Sequence, residues 1–149
     1  TNDIYFLGTF TSGKQQLDVI NGELNIITNG PLKKFKTAVQ QITFNGHYAI
    51  ECQQKVTFIT ERAVFKLTEK GLLLTEIAPG VDLQTDILDH MEFVPLIDDD
   101  LTLMDARLFQ EKPMHLEHPG SRSMKQMRSL MKKVLERPDP SPLAIKTAN

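Results

Sequence analysis

Short apolar runs separated by turn residues fill the first 80 positions of the chain. IYFLGTF (4–10) is apolar with aromatic and β-branched members and predicts a strand. LDVI and ELNII flank Asn21-Gly22, a pair that tolerates positive φ at both central positions of a type I′ turn, so a hairpin is expected there. Asn29-Gly30-Pro31 breaks the chain. KKFKTAVQQITF then carries three lysines and ends in VQQITF, expected as a strand closed by Asn45-Gly46. Three further strands are expected in VTFIT, AVFKL and LLLTEI, with Gly71 turning the link TEKG. Val64, Phe65 and Leu67 set against Lys66 give partial alternation, which predicts one buried and one wet face.

At EIAPGVDLQTDILDHMEF (76–93) the period changes. Pro79-Gly80 ends a strand, and Leu83, Ile87, Leu88 and Met91 recur on one face of a helix. Asp82 suits the N-cap, and Asp86 places negative charge where the helix dipole is positive. A helix start can bind phosphate, but a carboxylate at the cap competes with that ligand, so the break is read as helix initiation. In IDDDLTLMDARLF, Asp98-Asp99-Asp100 is expected to be a solvated turn or helix start. No spaced second set of oxygen ligands accompanies it, as a metal site would require. Pro113, Pro119-Gly120 and Ser121 read as linker. Met124, Met127, Leu130, Met131, Val134 and Leu135 then mark one face of an amphipathic helix, made basic by Lys125, Arg128, Lys132, Lys133 and Arg137.

Composition narrows the class. The chain has 149 residues, the length of one ordinary domain, with 40% hydrophobic and 24% charged residues. There is no apolar run long enough to span a bilayer and no secretory signal pattern. The opening TNDIYFLGTF lacks a starting Met and reads as a strand under way, so the chain is expected to be a piece of a longer protein. One cysteine, Cys52, rules out an internal disulfide framework and fits a reducing cytoplasm. The net charge of −2 argues against a nucleic-acid binder. Residues 1–109 carry 9 Lys/Arg against 15 Asp/Glu, and residues 110–149 carry 8 against 4, which divides the chain into two expected segments.

Isolated chemistry-bearing residues do not assemble into a site. His115 and His118 have a zinc-compatible spacing, but Pro113 and Pro119 oppose a helix there and no third ligand is evident. His47 and His90 stand alone, and Cys52 has no activating neighbour in sequence.

FLGTFTSGK, then KKF…VQQITFNGHYA, then VTFITERAVFKLTEKGLLLTEIAPGVDLQTDILDHMEFVP and LTLMDARLF together resemble the C-terminal end of family I coenzyme A transferases of the acetate/propionate/3-oxoacid type. The resemblance covers residues 1–109. It implies a mixed α/β fold, strand hairpins with packed helices, forming the C-terminal part of a larger CoA-transferase domain. It also implies transfer of CoA between an acyl-CoA thioester and a short-chain carboxylic acid through a glutamyl intermediate, with CoA as substrate and no permanently bound cofactor. The nucleophile of the family lies in a Glu-x-Gly motif upstream of the FLGTFT-like strand. Glu69-Lys70-Gly71 matches that motif in letters only, since it falls in a turn between two strands, and Glu23 is a hairpin residue with no companion base. No residue here is therefore assigned a catalytic or metal-ligating role, and CoA-binding residues are not identified. Open strand edges left by missing upstream sequence lead to an expected homo-oligomer. An interaction module binding a protein partner through its C-terminal helix is the alternative, and a CoA-binding regulatory domain is a third reading.

Overall fold

A computed structural model describes residues 1–116 of the chain, and the account below concerns the unit Thr1–Met114. The basic amphipathic helix expected over 124–135, and His118, lie outside the described residues. The other unit is His115–Asn149.

The central element is a five-stranded mixed sheet in the order β1-β6-β7-β8-β9. Its strands are β1 (Asp3–Leu7), β6 (Lys55–Ile59), β7 (Ala63–Thr68), β8 (Gly71–Ile77) and β9 (Leu96–Leu103). β6, β7 and β8 form an antiparallel meander, while β1 pairs parallel to β6 and β9 parallel to β8. The hairpin β3 (Gln16–Ile20) and β4 (Glu23–Thr28) forms a sheet of its own, with Asn21 at φ 54° and Gly22 at φ 84° as a type I′ turn demands. β2 (Thr11–Ser12) and β5 (Leu32–Lys33) make a short antiparallel ladder.

The core is built around aromatic rings. Phe10 and Phe65 are fully buried, and Phe35 lies 4.9 Å from each ring, centroid to centroid. Offset and tilted rings at this spacing complement each other's quadrupoles while burying a large apolar area. Ala63, Val64 and Phe65 are all buried, so this end of β7 is covered on both faces rather than one. Further along, Lys66 is exposed.

Pro79-Gly80 has a structural answer. Gly80 sits at φ 85°, and a Cβ there would lie 2.9 Å from both the Leu24 carbonyl oxygen and the Glu23 Cβ. The Leu24 amide donates to the Pro79 carbonyl at 2.8 Å. The break therefore docks the end of β8 against the β3–β4 hairpin. Gly80→Ala is expected to destabilise the fold by about 1–3 kcal/mol, from left-handed backbone strain together with the collision. The shift of a urea midpoint at unchanged slope checks it.

Residues 82–91 start a helical segment as expected, but not a regular α-helix. Leu83–Ile87 is a π-helical turn and Leu88–His90 a 3-10 turn. Ile87 and Met91 are buried, with Leu83 and Leu88 packed against the same core.

Three expectations are corrected. VQQITF is not a strand: Val39 and Ile42 are 60% and 77% exposed in irregular chain. Asn45-Gly46 starts helix α1 (Gly46–Glu51) rather than closing a strand, because the Asn45 side chain accepts from the Tyr48 amide as an N-cap. Asp98, Asp99 and Asp100 are neither turn nor helix start but lie within β9. The register jumps from Leu74↔Ile97 to Glu76↔Thr102, so the three carboxylates occupy a bulge on an edge strand and are never forced into a ladder.

Candidate functional site

Parallel strands β1 and β6 end side by side at Leu7 and Ile59. The crevice beyond the carboxyl ends of parallel strands is where α/β sheets most readily build a site. Two loops meet there: residues 8–10 between β1 and β2, and Thr60-Glu61-Arg62 between β6 and β7. Gly8 donates its amide to the Ile59 carbonyl at 3.1 Å, carrying the strand pairing into the loop.

An ion pair holds these loops. Arg62 is completely buried, and its Nε donates to Glu61 Oε1 at 3.1 Å. Its Nη1 donates to Asn29 Oδ1 at 2.7 Å and to the Asp86 carbonyl at 3.0 Å. The guanidinium lies over the Phe10 ring at 4.9 Å, a favourable cation–π placement. Glu61 Oε2 accepts from the Phe10 amide at 2.8 Å. One pair thus ties the loop after β1, the end of β4, the β6–β7 turn and the π-helical turn together. Arg62 Nη2 is buried with no hydrogen-bond partner among the described residues. Thr60 completes the turn: its Oγ1 donates to the Ala63 carbonyl at 2.8 Å.

Two crevices flank Ile59 and Thr60. One, of about 610 Å³, has walls from Leu17, Leu24, Met104 and Phe109, with Glu61 on its lining. The other, of about 310 Å³, is bounded by Phe6, Gly8, Lys34 and Phe58, and there Lys34 Nζ donates to Thr9 Oγ1 at 2.7 Å.

The residues singled out in the sequence are scattered. Glu69 is exposed in the turn between β7 and β8, and Glu23 is exposed at the start of β4. His47 is exposed on α1, and Cys52 is exposed at the end of that helix. His90 is half-buried, and burial, with Arg62 and Lys33 nearby, lowers its pKa below the usual histidine value. His115 is exposed. Among the described residues no group of three or more His, Cys, Asp or Glu side chains is placed to hold a metal ion. The helix start at residue 82 is filled by its own side chains. Asp82 Oδ1 accepts from the Gln84 and Thr85 amides at 3.0 and 2.8 Å, and Asp86 Oδ2 accepts from the Asp82 amide at 2.9 Å. These bonds to the ionised form, those to Thr85 first, hold the Asp82 carboxyl below its ordinary pKa. Asp105 caps the last helical turn, and its hydrogen bonds with Arg107 hold its carboxyl at about 2.

Sequence reasoning missed the Glu61–Arg62 pair. The available signal was an arginine set between VTFIT and AVF, since an arginine is almost never fully buried unless it is paired.

No family model matches the chain. It is 52% identical over 111 residues to acetate CoA-transferase YdiF of Escherichia coli K12, and 46% identical over 112 residues to caffeate CoA-transferase of Acetobacterium woodii. These matches cover 74% and 75% of this chain but 21% of each relative. The crystal structure of acyl-CoA transferase YdiF from E. coli O157:H7, a thioester complex with CoA, superposes with a TM-score of 0.78 at 50% identity. That match covers 80% of this chain and 23% of the enzyme, and the apoenzyme matches with a TM-score of 0.77. The mixed α/β fold expected from the sequence is the one these residues share with YdiF. The chain's homologues are CoA-transferases, and it matches them over about three-quarters of its own length and about a fifth of theirs.

Proposed function

We propose that this chain is the C-terminal segment of a CoA-transferase polypeptide that moves CoA between an acyl-CoA thioester and a short-chain carboxylic acid. The observation that carries this reading is 52% identity to acetate CoA-transferase combined with a TM-score of 0.78 to a CoA-transferase crystallised as a CoA thioester. The nucleophilic glutamate lies outside this chain. Its carboxylate attacks the thioester carbonyl, the C–S bond breaks, and CoA thiolate departs to leave an acyl-glutamyl anhydride. The thiolate then attacks the glutamyl carbonyl and releases the original acid as its carboxylate. The incoming carboxylate takes CoA by the reverse steps. Backbone amides stabilise the oxyanions formed on the way.

The chain's own contribution is positional. β1 and β6 present their carboxyl ends together, and Glu61 with Arg62 fixes the loop of residues 8–10 there. The test is a chimera in which this chain's matched residues replace the corresponding 111-residue segment of the E. coli enzyme. Transfer of CoA from acetyl-CoA to a short-chain acid at a rate within about tenfold of the parent is expected, equivalent to under about 1.4 kcal/mol in the barrier. A folded chimera without transferase activity contradicts the reading.

A further inference from the structure

One lysine of the KKFK stretch is held differently from its neighbours. Lys33 Nζ donates to the Asp89 and Met91 carbonyls at 2.7 and 3.4 Å and so ties β5 to the helical turns. Phe35 packs against Phe10 and Phe65 in the core, and its carbonyl accepts from the Glu92 amide at 2.9 Å. Lys34, fixed between these two anchors, turns instead to the loop after β1, where its Nζ donates to Thr9 Oγ1 at 2.7 Å. The Thr9 hydroxyl donates its proton to the Thr11 carbonyl at 2.7 Å, which leaves lone pairs for the lysine. That loop is itself pinned, at Gly8 by the Ile59 carbonyl and at Phe10 by Glu61. Both sides of the Lys34–Thr9 contact are therefore anchored before any ligand arrives.

An ammonium has three donors, and Thr9 takes one. Among the described residues Lys34 joins no ion pair; the two present link Arg62 to Glu61 and Arg107 to Asp105. Its charge lines the crevice of about 310 Å³ beyond the carboxyl ends of β1 and β6, whose other walls include Phe6, Phe58 and Ile59. A Cβ at Gly8 would sit 3.8 Å from the Lys34 Nζ, so the bare glycine leaves room beside the ammonium. One positive charge against phenyl and aliphatic walls suits a monoanion with a short apolar tail. Volume decides between the two anionic substrates of the proposed reaction. A crevice near the lower end of the range for small-molecule pockets holds a short-chain acid, not a nucleotide carrying several phosphates.

We infer that Lys34 selects the acid substrate: its ammonium, oriented by Thr9, pairs with the carboxylate of a short-chain acid whose tail lies against Phe6 and Phe58. The inference rests on the functional reading above and adds the residue that recognises the acid.

Ligand-observed NMR titrations of the folded chimera with butyrate and with its neutral isostere butyramide test this without requiring turnover. Butyrate is expected to bind more tightly than butyramide. Lys34→Met should weaken butyrate binding by about tenfold or more, as for a lost charge-assisted hydrogen bond, and leave butyramide binding unchanged. Lys34 is exposed, so the substitution leaves the core intact. Lys34→Arg retains the charge and should keep most of the preference, while Thr9→Val should lose part of it. CoA affinity, measured by calorimetry, should stay within about twofold in the Lys34→Met chimera. Butyrate affinity indifferent to Lys34→Met overturns the inference, and so does a chimera without measurable butyrate binding. A loss that falls on CoA instead of butyrate assigns the ammonium to a phosphate and overturns it too. Lys34-dependent butyrate binding by a chimera without transferase activity keeps the site and rejects the transfer reading, so the two failures are distinguishable.

Discussion

Arg62→Ala is expected to destabilise the fold by about 3–5 kcal/mol, the cost of breaking a buried ion pair from one side. The substitution strands Glu61 Oε1, Asn29 Oδ1 and the Asp86 carbonyl, all of which take hydrogen bonds from this guanidinium. It also uncovers the Phe10 ring. Against a total stability of about 5–15 kcal/mol, a loss of that size leaves much of the population unfolded. Urea unfolding followed by far-UV circular dichroism measures it. The paired change Glu61→Gln with Arg62→Met should recover part of the loss, because no unpaired charge then remains buried. Equal instability of the single and double variants would mean that the guanidinium acts through packing and its contacts to Asn29 and Asp86 rather than through the ion pair.

Phe65→Ala should cost a comparable amount, about 3–5 kcal/mol, for a different reason. Phe65 is fully buried, its ring 4.9 Å from Phe35 and 6.3 Å from Phe10, so truncation leaves a cavity where three rings met. Phe65→Leu is expected to retain most of the stability, since much of the volume is kept. Calorimetric midpoints of the two variants separate these outcomes. A loss below about 1 kcal/mol for Phe65→Ala would show that the site collapses around the truncation. Together the two variants distinguish a fold held by its aromatic centre from one held by its polar junction.

Local chemistry made some of this structure legible in the sequence. Asn21-Gly22 specified its hairpin because a type I′ turn needs two positive φ values and the adjacent pair tolerates both. Asp82 specified a helix start because its carboxylate reaches amides only two and three residues away. Where the outcome depended on distant partners, the same reasoning failed. VQQITF has strand composition, yet among the described residues it has no strand to pair with, and composition alone forms no ladder. Asn45-Gly46 looks like Asn21-Gly22, but Asn45 caps α1 because its side chain finds the Tyr48 amide. Asp98–Asp100 sits in β9 because an edge strand can bulge there, a property of register with β8. The Glu61–Arg62 junction was hidden because Asn29, Phe10 and Asp86 are separated from it by 24 to 52 positions. Similarity to CoA-transferases was carried by residues spread along the chain rather than by one short motif.

The most direct measurement is the site of covalent attachment when the chimera turns over. The folded chimera is incubated with acetyl-CoA, and its intact mass is taken before and after borohydride treatment, followed by peptide mapping. The expected result is an adduct of CoA mass, lost on reduction, mapped to a glutamate in the part supplied by the E. coli enzyme. An adduct mapped to Glu69, Glu23 or any other residue of this chain, or no adduct on a folded chimera, would contradict the account.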